Sequence, residues 1–165
     1  MDPKKALMGK RLLIVDDERD ILETLTDLLE LCKIDPASSF EEAKKFLEQY
    51  EYDLVVLDIM GVKGFDLLEI ANKRNIPALM LTAHSLNLES LSKSMRQGAA
   101  YFVPKEKIAE IATYVADVLE AKESNKNPWT RWLDRLASFF DITFTGPNWR
   151  EQEKDFLEKI KRTIQ

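Results

Sequence analysis

The stretch Arg11-Leu-Leu-Ile-Val-Asp-Asp17 decides the fold, because it joins a short, continuous apolar run to two carboxylates. An apolar run of this length without polar alternation is typical of a strand that is buried on both faces of a parallel sheet. Asp53-Leu-Val-Val-Leu57 and Ala78-Leu-Met-Leu81 repeat the pattern. The sequence therefore predicts three buried strands, and each of them runs into a polar residue.

Helical periodicity fills the intervals between these strands. Apolar residues recur at three- and four-residue spacing over 21–32, 41–50, 65–74, 88–97 and 108–119, and weaker strand signals lie at 34–38 and 100–103. Five strand–helix pairs in about 120 residues, joined by right-handed crossovers, predict an open, doubly wound α/β sheet. A closed barrel is excluded because it needs eight such pairs and about 250 residues.

Polar side chains stand at the carboxyl ends of the predicted strands. They are Asp16 and Asp17, Asp58, Thr82-Ala83 and Lys105. Open α/β sheets bind ligands beyond these strand ends, so we expect the groups to share one crevice. Clustered carboxylates repel one another unless a cation neutralises them, and oxygen ligands favour Mg²⁺. Taken singly, each group also has an ordinary interpretation as a helix start, a loop residue or a surface charge.

Four motifs resemble the receiver domain of two-component response regulators, of the chemotaxis-regulator type. They follow the family's order and spacing: Leu12-Leu-Ile-Val-Asp-Asp17, Leu54-Val-Val-Leu-Asp58-Ile-Met60, Leu79-Met-Leu-Thr82-Ala83 and Gly98-Ala-Ala-Tyr-Phe-Val-Pro-Lys105. The resemblance covers roughly residues 9–121 and implies a receiver domain over 1–121. It also implies a flavodoxin-like, five-stranded parallel sheet with strand order 2-1-3-4-5.

By this resemblance, Asp58 is the phosphoacceptor. Asp17, Asp58 and the backbone carbonyl of Met60 are then direct ligands of Mg²⁺, for which Mn²⁺ can substitute, and Asp16 acts through water. Thr82 and Lys105 complete the phosphoryl-binding set. A carboxylate can attack phosphorus without a general base, and the Lys105 ammonium offsets charge on the phosphoryl oxygens.

Further roles at the site also come from the resemblance. Phe102 is the aromatic residue that rotates when the switch operates. Ala83 is small and leaves room for the phosphoryl donor. Met60 and His84 border the path of the attacking water and tune the lifetime of the phosphoryl group. For His84, an ordinary loop histidine is an equal alternative. His84 is the one histidine of the chain, so the phosphohistidine that donates the group must belong to another protein.

The resemblance implies a phosphoacceptor signalling protein and not an enzyme, apart from its own phosphorylation and dephosphorylation. Its expected partners are a sensor histidine kinase or a histidine phosphotransfer protein and a downstream protein target. A homodimer stays open.

Two alternative functions stay open beside this hypothesis. Aspartate-nucleophile phosphatases of the haloacid-dehalogenase type need a second Asp two residues after the nucleophile, where this chain has Met60. A pseudo-receiver scaffold is suggested by the loop after Asp58, which lacks the usual proline four residues on and is about two residues shorter than the family norm. A cis Lys105–Glu106 bond is not expected, because Pro104 precedes the lysine and no proline follows it.

Composition and charge limit the remaining classes. A single cysteine, Cys32, excludes a disulfide framework and is expected to be a buried thiol in a reducing compartment. Apolar runs fall short of the ~20 residues of a membrane span, and the first ten residues are too polar for a signal peptide, so we expect a cytoplasmic protein. The net charge of −5 without a Lys/Arg stripe disfavours DNA binding.

A helical C-terminal extension is predicted over 128–165, after a linker at 122–127. Asn127-Pro128 marks a helix start. Two amphipathic helices are predicted in the extension, separated by a turn at Gly146-Pro-Asn148. The apolar stripe of the first helix consists of Trp129, Trp132, Leu133, Leu136 and Phe140. The apolar stripe of the second helix consists of Phe156, Leu157, Ile160 and Ile164.

The extension holds all three tryptophans, which is too much apolar surface for two helices to bury alone. It must therefore dock. It is either a structural extension packed on the receiver or on a second copy, or an output surface for a partner protein. A membrane-interface helix is disfavoured by the weak positive charge of the segment. A DNA-binding output is disfavoured because no basic recognition helix is present.

Overall fold

The computed structural model of the chain describes residues 2–83 and 88–143, together with Glu151 and Glu158. Its strands are β1 Arg11–Val15, β2 Lys33–Ala37, β3 Leu54–Asp58, β4 Ala78–Thr82 and β5 Tyr101–Pro104. Its helices are α1 Pro3–Leu7, α2 Arg19–Leu28, α3 Phe40–Gln49, α4 Gly64–Lys73, α5 Leu88–Arg96, α6 Ile111–Glu123 and α7 Trp129–Thr143, and a 3₁₀ turn covers Lys105–Glu110.

The five strands form one parallel sheet in the order β2-β1-β3-β4-β5. This confirms the doubly wound α/β sheet and its strand order. The central strands are apolar on both faces, and every residue of β3 is buried. Strand β2 is an edge strand and is more exposed, which is why it tolerates Pro36. The order reverses between β1 and β3, so a ligand crevice is expected beyond their carboxyl ends.

Right-handed crossovers distribute the helices over both faces of the sheet. On one face, α2 connects β1 to β2 and contacts α6. On the other face, α3 connects β2 to β3 and contacts α4. Short helix α1 packs on α6. The helices therefore cover both faces of the central strands and leave the carboxyl ends of these strands accessible to a ligand.

Helix α1 was not predicted, because its five residues are too few to show a period. The side chain of Asp2 accepts a hydrogen bond from the Lys4 N–H at 3.1 Å, and Pro3 fits the first helical position. Leu7 is buried at its end. The Leu7 carbonyl also accepts from the Cys32 Sγ at 3.4 Å, and Cys32 is half-buried rather than fully buried as expected. Burial and the nearby Asp53 charge raise the pKa of Cys32 to about 11.

Two predicted helices differ by three or more residues at one end or both from their bounds in the structure. The helix expected over 21–32 ends at Leu28, because the chain then turns and the Leu31 carbonyl accepts from Gly9 N–H at 3.0 Å. The helix expected from Ile108 begins instead at Ile111, since 105–110 forms the 3₁₀ turn. No cis peptide bond occurs within the described ranges, as expected for the bond after Lys105.

Helix α7 is the described part of the C-terminal extension, and it covers the edge strand β5. The Asn127 side chain accepts from the Trp129 N–H at 2.9 Å, which confirms the predicted helix start. Trp129 and Trp132 are buried, and their indole N–H groups donate to the backbone carbonyls of Ala99 and Phe102 at 3.0 and 2.7 Å. An edge strand is thereby protected from pairing with other chains.

An ion pair between the buried Asp117 of α6 and the partly exposed Arg135 of α7 joins these two helices. Asp117 is 2% exposed and accepts from both Arg135 Nε and Arg135 Nη2, while the Tyr101 hydroxyl donates to it at 3.0 Å. Leu136 of the predicted stripe is buried and Leu133 is half-buried. The described large apolar side chains of α7 therefore pack against the rest of the molecule.

The remainder of the predicted extension lies largely outside the described residues. Of the second predicted helix, the structure describes Glu151 and Glu158, and both are helical. The side chain of Phe140 and the apolar stripe at 156–164 are among the undescribed parts. Across the described residues, no helix combines the length and apolar character that a membrane crossing requires.

Candidate functional site

The end of β1 places two carboxylates at the switch point of the sheet. Asp16 is fully buried, its backbone N–H donates to the Ala37 carbonyl at 3.1 Å, and its Oδ1 accepts from the Glu18 N–H at 2.9 Å. These bonds fix the Asp16 side chain. Asp17 is exposed beside it. One position is thus held inside the crevice and the next faces solvent.

Asp58 is the last residue of β3 and is 3% exposed. One carboxylate oxygen from each of Asp16, Asp17 and Asp58 lies within 4.8 Å of the other two. Three oxygen donors this close, with a net negative charge, fit a hard divalent cation such as Mg²⁺. The structure therefore brings together the acidic cluster that the sequence predicted.

Lys105 supplies the positive charge of the site. It follows β5 directly, its side chain is 10% exposed, and its Nζ lies 2.8 Å from Asp16 Oδ2 and 3.4 Å from Asp58 Oδ1. Glu18 Oε1 is 3.9 Å away. Burial alone would lower the pKa of Lys105, but the carboxylates outweigh it and the pKa is raised. Lys105 therefore stays charged and bridges two of the three aspartates.

The pKa of Asp58 is raised to about 6. Burial is the largest cause, and the charge of Asp16 adds to it, while Lys105 acts in the opposite direction. A carboxylate that resists ionisation is one whose negative charge is incompletely compensated by its neighbours. This is the electrostatic situation that a bound cation relieves.

The other expected site residues lie on β4, on β5 and in the loop after Asp58. Thr82 ends β4 next to the Asp58 end of β3 and is half-buried, as is Ala83. Phe102 is fully buried in β5, and Met60 is 70% exposed in the loop after Asp58. His84 lies outside the described residues, so its predicted contribution to phosphoryl lifetime stays a prediction.

Two residues at the site were missed by sequence reasoning. Glu18 was seen only as part of a helix-start cluster, yet it both orients Asp16 through its N–H and approaches Lys105. Its adjacency to the two aspartates was the available signal. Gly61 has a φ of +83° and lies directly against Asp17, and its backbone conformation could not be read from composition.

Comparisons with known proteins agree on one family. A family model described as the response regulator receiver domain matches residues 12–116. The regulatory protein VanRc of Enterococcus gallinarum is 30% identical over 131 residues, which cover 73% of this chain and 56% of that protein. The two-component response regulator ARR18 of Arabidopsis thaliana is 35% identical over 105 residues, which cover 59% and 16%. The chain thus spans less than two thirds of these relatives.

A solved structure with the same fold is the CheY-like response regulator receiver domain protein from Methanospirillum hungatei JF-1. Its TM-score is 0.65 at 26% identity, and the match covers 71% of this chain and 98% of that one. The matched share agrees with a receiver fold followed by additional residues.

Proposed function

Because the chain belongs to the response regulator receiver domain family, we propose that it accepts a phosphoryl group on Asp58 and thereby switches its contacts with other proteins. The observation that supports this most is the convergence of Asp16, Asp17 and Asp58 with Lys105 at the switch point of the sheet. Response regulators receive their phosphoryl groups from histidine kinases, so the donor is a phosphohistidine on a kinase or a phosphotransfer protein.

The chemistry uses the Asp58 carboxylate as the nucleophile. One of its oxygens attacks phosphorus, the P–N bond of the donor breaks, and an acyl phosphate forms. The P–N bonding electrons stay on the donor nitrogen, and because the second ring nitrogen carries a proton the donor leaves as a neutral imidazole. Water later hydrolyses the acyl phosphate to inorganic phosphate and restores the Asp58 carboxylate. Lys105 Nζ lies 3.4 Å from Asp58 Oδ1 and would hold the phosphoryl oxygens. The Thr82 hydroxyl can donate to the same oxygens.

Asp17, Asp58 and the Met60 carbonyl would hold Mg²⁺ or Mn²⁺ directly, with Asp16 acting through water. When bound, the cation offsets charge on the phosphoryl oxygens as they gain it. The residues of the chain do the rest: the Glu18 N–H orients Asp16, and Asp16 with Asp58 keeps Lys105 in the crevice. Met60 and His84 are proposed to govern access of water.

Incubation with phosphoramidate and Mg²⁺ tests this proposal, with intact-mass measurement as the readout. We expect the wild-type chain to gain one phosphoryl group and Asp58→Asn to gain none. Wild-type protein that stays unmodified while binding Mg²⁺ would support the pseudo-receiver alternative. Steady release of phosphate from a small phosphomonoester would support the phosphatase alternative, which lacks a general acid where Met60 stands.

The extension, which we delimit as 128–165 after the linker 122–127, is proposed to carry the output to a protein partner. Strand β5 connects the phosphoacceptor site to the extension. The Phe102 carbonyl accepts a hydrogen bond from the Trp132 indole N–H, and Lys105 lies three residues after Phe102 in the chain. A movement of Lys105 toward a phosphoryl group therefore acts on the strand to which α7 is bonded.

Hydrogen exchange measured by mass spectrometry on the full chain tests the output role. We expect the amides of α7 to exchange faster when Asp58 is phosphorylated, and Asp58→Asn to show no difference with phosphoramidate. Equal exchange in both states would reduce α7 to a structural extension and leave the phosphoacceptor proposal intact.

A further inference from the structure

Gly61 lies where the loop after Asp58 crosses the acidic cluster. Its φ is +83°, a left-handed conformation that side chains rarely adopt. A methyl group added to Gly61 would lie 2.5 Å from Asp17 Oδ2, 2.7 Å from its Cγ and 2.8 Å from its Oδ1. All three atoms of the Asp17 carboxylate thus occupy the space that a side chain at position 61 would need.

The loop is tight because it returns to helix within a few residues. Lys63 is also left-handed, with a φ of 54°, and the Gly64 N–H donates to the Ile59 carbonyl at 3.2 Å to start α4. A methyl group at Gly64 would collide with the Asp58 carbonyl, so the backbone is close on that side as well. The shortened loop therefore passes directly over the exposed carboxylate of the cluster.

We infer that Gly61 is a positioning residue of the cation site: its missing side chain lets the loop press on Asp17 and hold that carboxylate toward Asp16 and Asp58. Asp17 needs such a support because it is exposed, whereas Asp16 is fixed by the Glu18 N–H. The inference rests on the proposed metal-assisted reaction and goes beyond it by assigning the orientation of one ligand to one glycine.

The physical consequence of a side chain at 61 follows from what it meets. The colliding atoms are the end of a flexible side chain, so the least costly relief is rotation of Asp17 and not unfolding of the loop. A rotated Asp17 leaves the group of three oxygens that lie within 4.8 Å of one another. The substitution should therefore weaken cation binding far more than it weakens the fold.

Gly9 offers a matched control in the same chain. Its φ is +73°, close to that of Gly61, but a methyl group added there meets nothing within 4 Å. Gly61→Ala and Gly9→Ala thus share the backbone strain, and only Gly61→Ala carries the collision with Asp17. Any difference between the two variants reports that collision.

Mn²⁺ titration followed by electron paramagnetic resonance, on the full chain, tests the inference. We expect Gly61→Ala to raise the Kd for Mn²⁺ at least about tenfold and Gly9→Ala to leave it within about twofold of wild type. Melting temperatures without metal should fall to a similar extent in both. A Kd for Gly61→Ala within twofold of wild type would overturn the positioning role.

A second variant keeps the test decisive if Gly61→Ala does not fold. Because Asp17→Ala removes the colliding carboxylate, Gly61→Ala combined with Asp17→Ala should fold and melt as Gly9→Ala combined with Asp17→Ala does. A double variant that still fails to fold would overturn the inference. Wild-type protein that binds Mn²⁺ but accepts no phosphoryl group would contradict the proposed function and leave this inference standing.

Discussion

Asp58 and Asp117 are both buried carboxylates, 3% and 2% exposed, but their surroundings differ. Asp117 receives two hydrogen bonds from Arg135 and one from Tyr101. Asp58 shares the positive charge of Lys105 with Asp16, and Asp17 is the third carboxylate of the cluster. A fully paired buried charge joins α6 to α7, whereas an underpaired one stays available for chemistry. The same residue type thus stabilises one region and is held in a costly state in the other.

The largest change in stability is expected on substitution of Asp117, whose charge is paired with Arg135. Asp117→Ala should lower the free energy of unfolding by about 3 kcal/mol, because the buried Tyr101 hydroxyl loses its acceptor and the charged hydrogen bonds from the partly exposed Arg135 are also lost. Urea denaturation measures the loss. Arg131→Ala is the control, since Arg131 is half exposed and 3.9 Å from Asp117, and should cost less than about 1 kcal/mol. Equal losses in both would show that the paired carboxylate is not what holds α7.

Cation binding should stabilise the folded chain through Asp58. At a Mg²⁺ concentration about a hundred times its Kd, the wild-type chain should gain about 2.7 kcal/mol of stability through linkage. At the same concentration Asp58→Asn should gain much less, because one ligand is lost, whereas Asp117→Ala should gain as much as wild type. Removal of the metal with EDTA should reverse the gain. Denaturant midpoints with and without Mg²⁺ give these values.

In the absence of metal, a charge-removing substitution of Asp58 should raise the free energy of unfolding, by less than the effects above. The raised pKa of Asp58 means that its ionised form is disfavoured in the folded chain, so its cost is present above about pH 6 and fades as the pH falls toward the unfolded value of 3.8. Asp58→Asn should therefore stabilise the metal-free chain by about 1–2 kcal/mol at pH 7.5 and by less at pH 5. A gain that does not depend on pH would point to packing instead of charge.

The fold and the acidic cluster could be predicted from sequence because both follow local rules. Continuous apolar runs mark buried parallel strands, and the carboxyl ends of such strands meet, so Asp16, Asp17 and Asp58 had to converge. The resemblance then supplied the strand order, which the observed sheet confirms. Bounds were less certain where apolar periodicity continues past the end of a helix, as it does after Leu28.

Other features depend on contacts that no sequence period encodes. The pairing of Asp117 with Arg135 joins helices through a tertiary contact, and the left-handed φ of Gly61 is a property of a loop closed between two fixed elements. The five residues of α1 are too few for a hydrophobic pattern. The stripe of Trp129 and Trp132 predicted that the extension would dock, but the edge strand that it covers became clear only from the structure.

The indole rings of Trp129 and Trp132, which pack against β5, are also intrinsic fluorophores. Tryptophan emission responds to the polarity around the ring and to the partner of its N–H group, and both buried indoles are hydrogen-bonded to the segment that leads into Lys105. The chain therefore carries intrinsic fluorophores at the place where a change at Asp58 would be felt. If Asp58 is phosphorylated as proposed, we expect the emission of these indoles to change, which would allow the reaction and its decay to be followed without a dye.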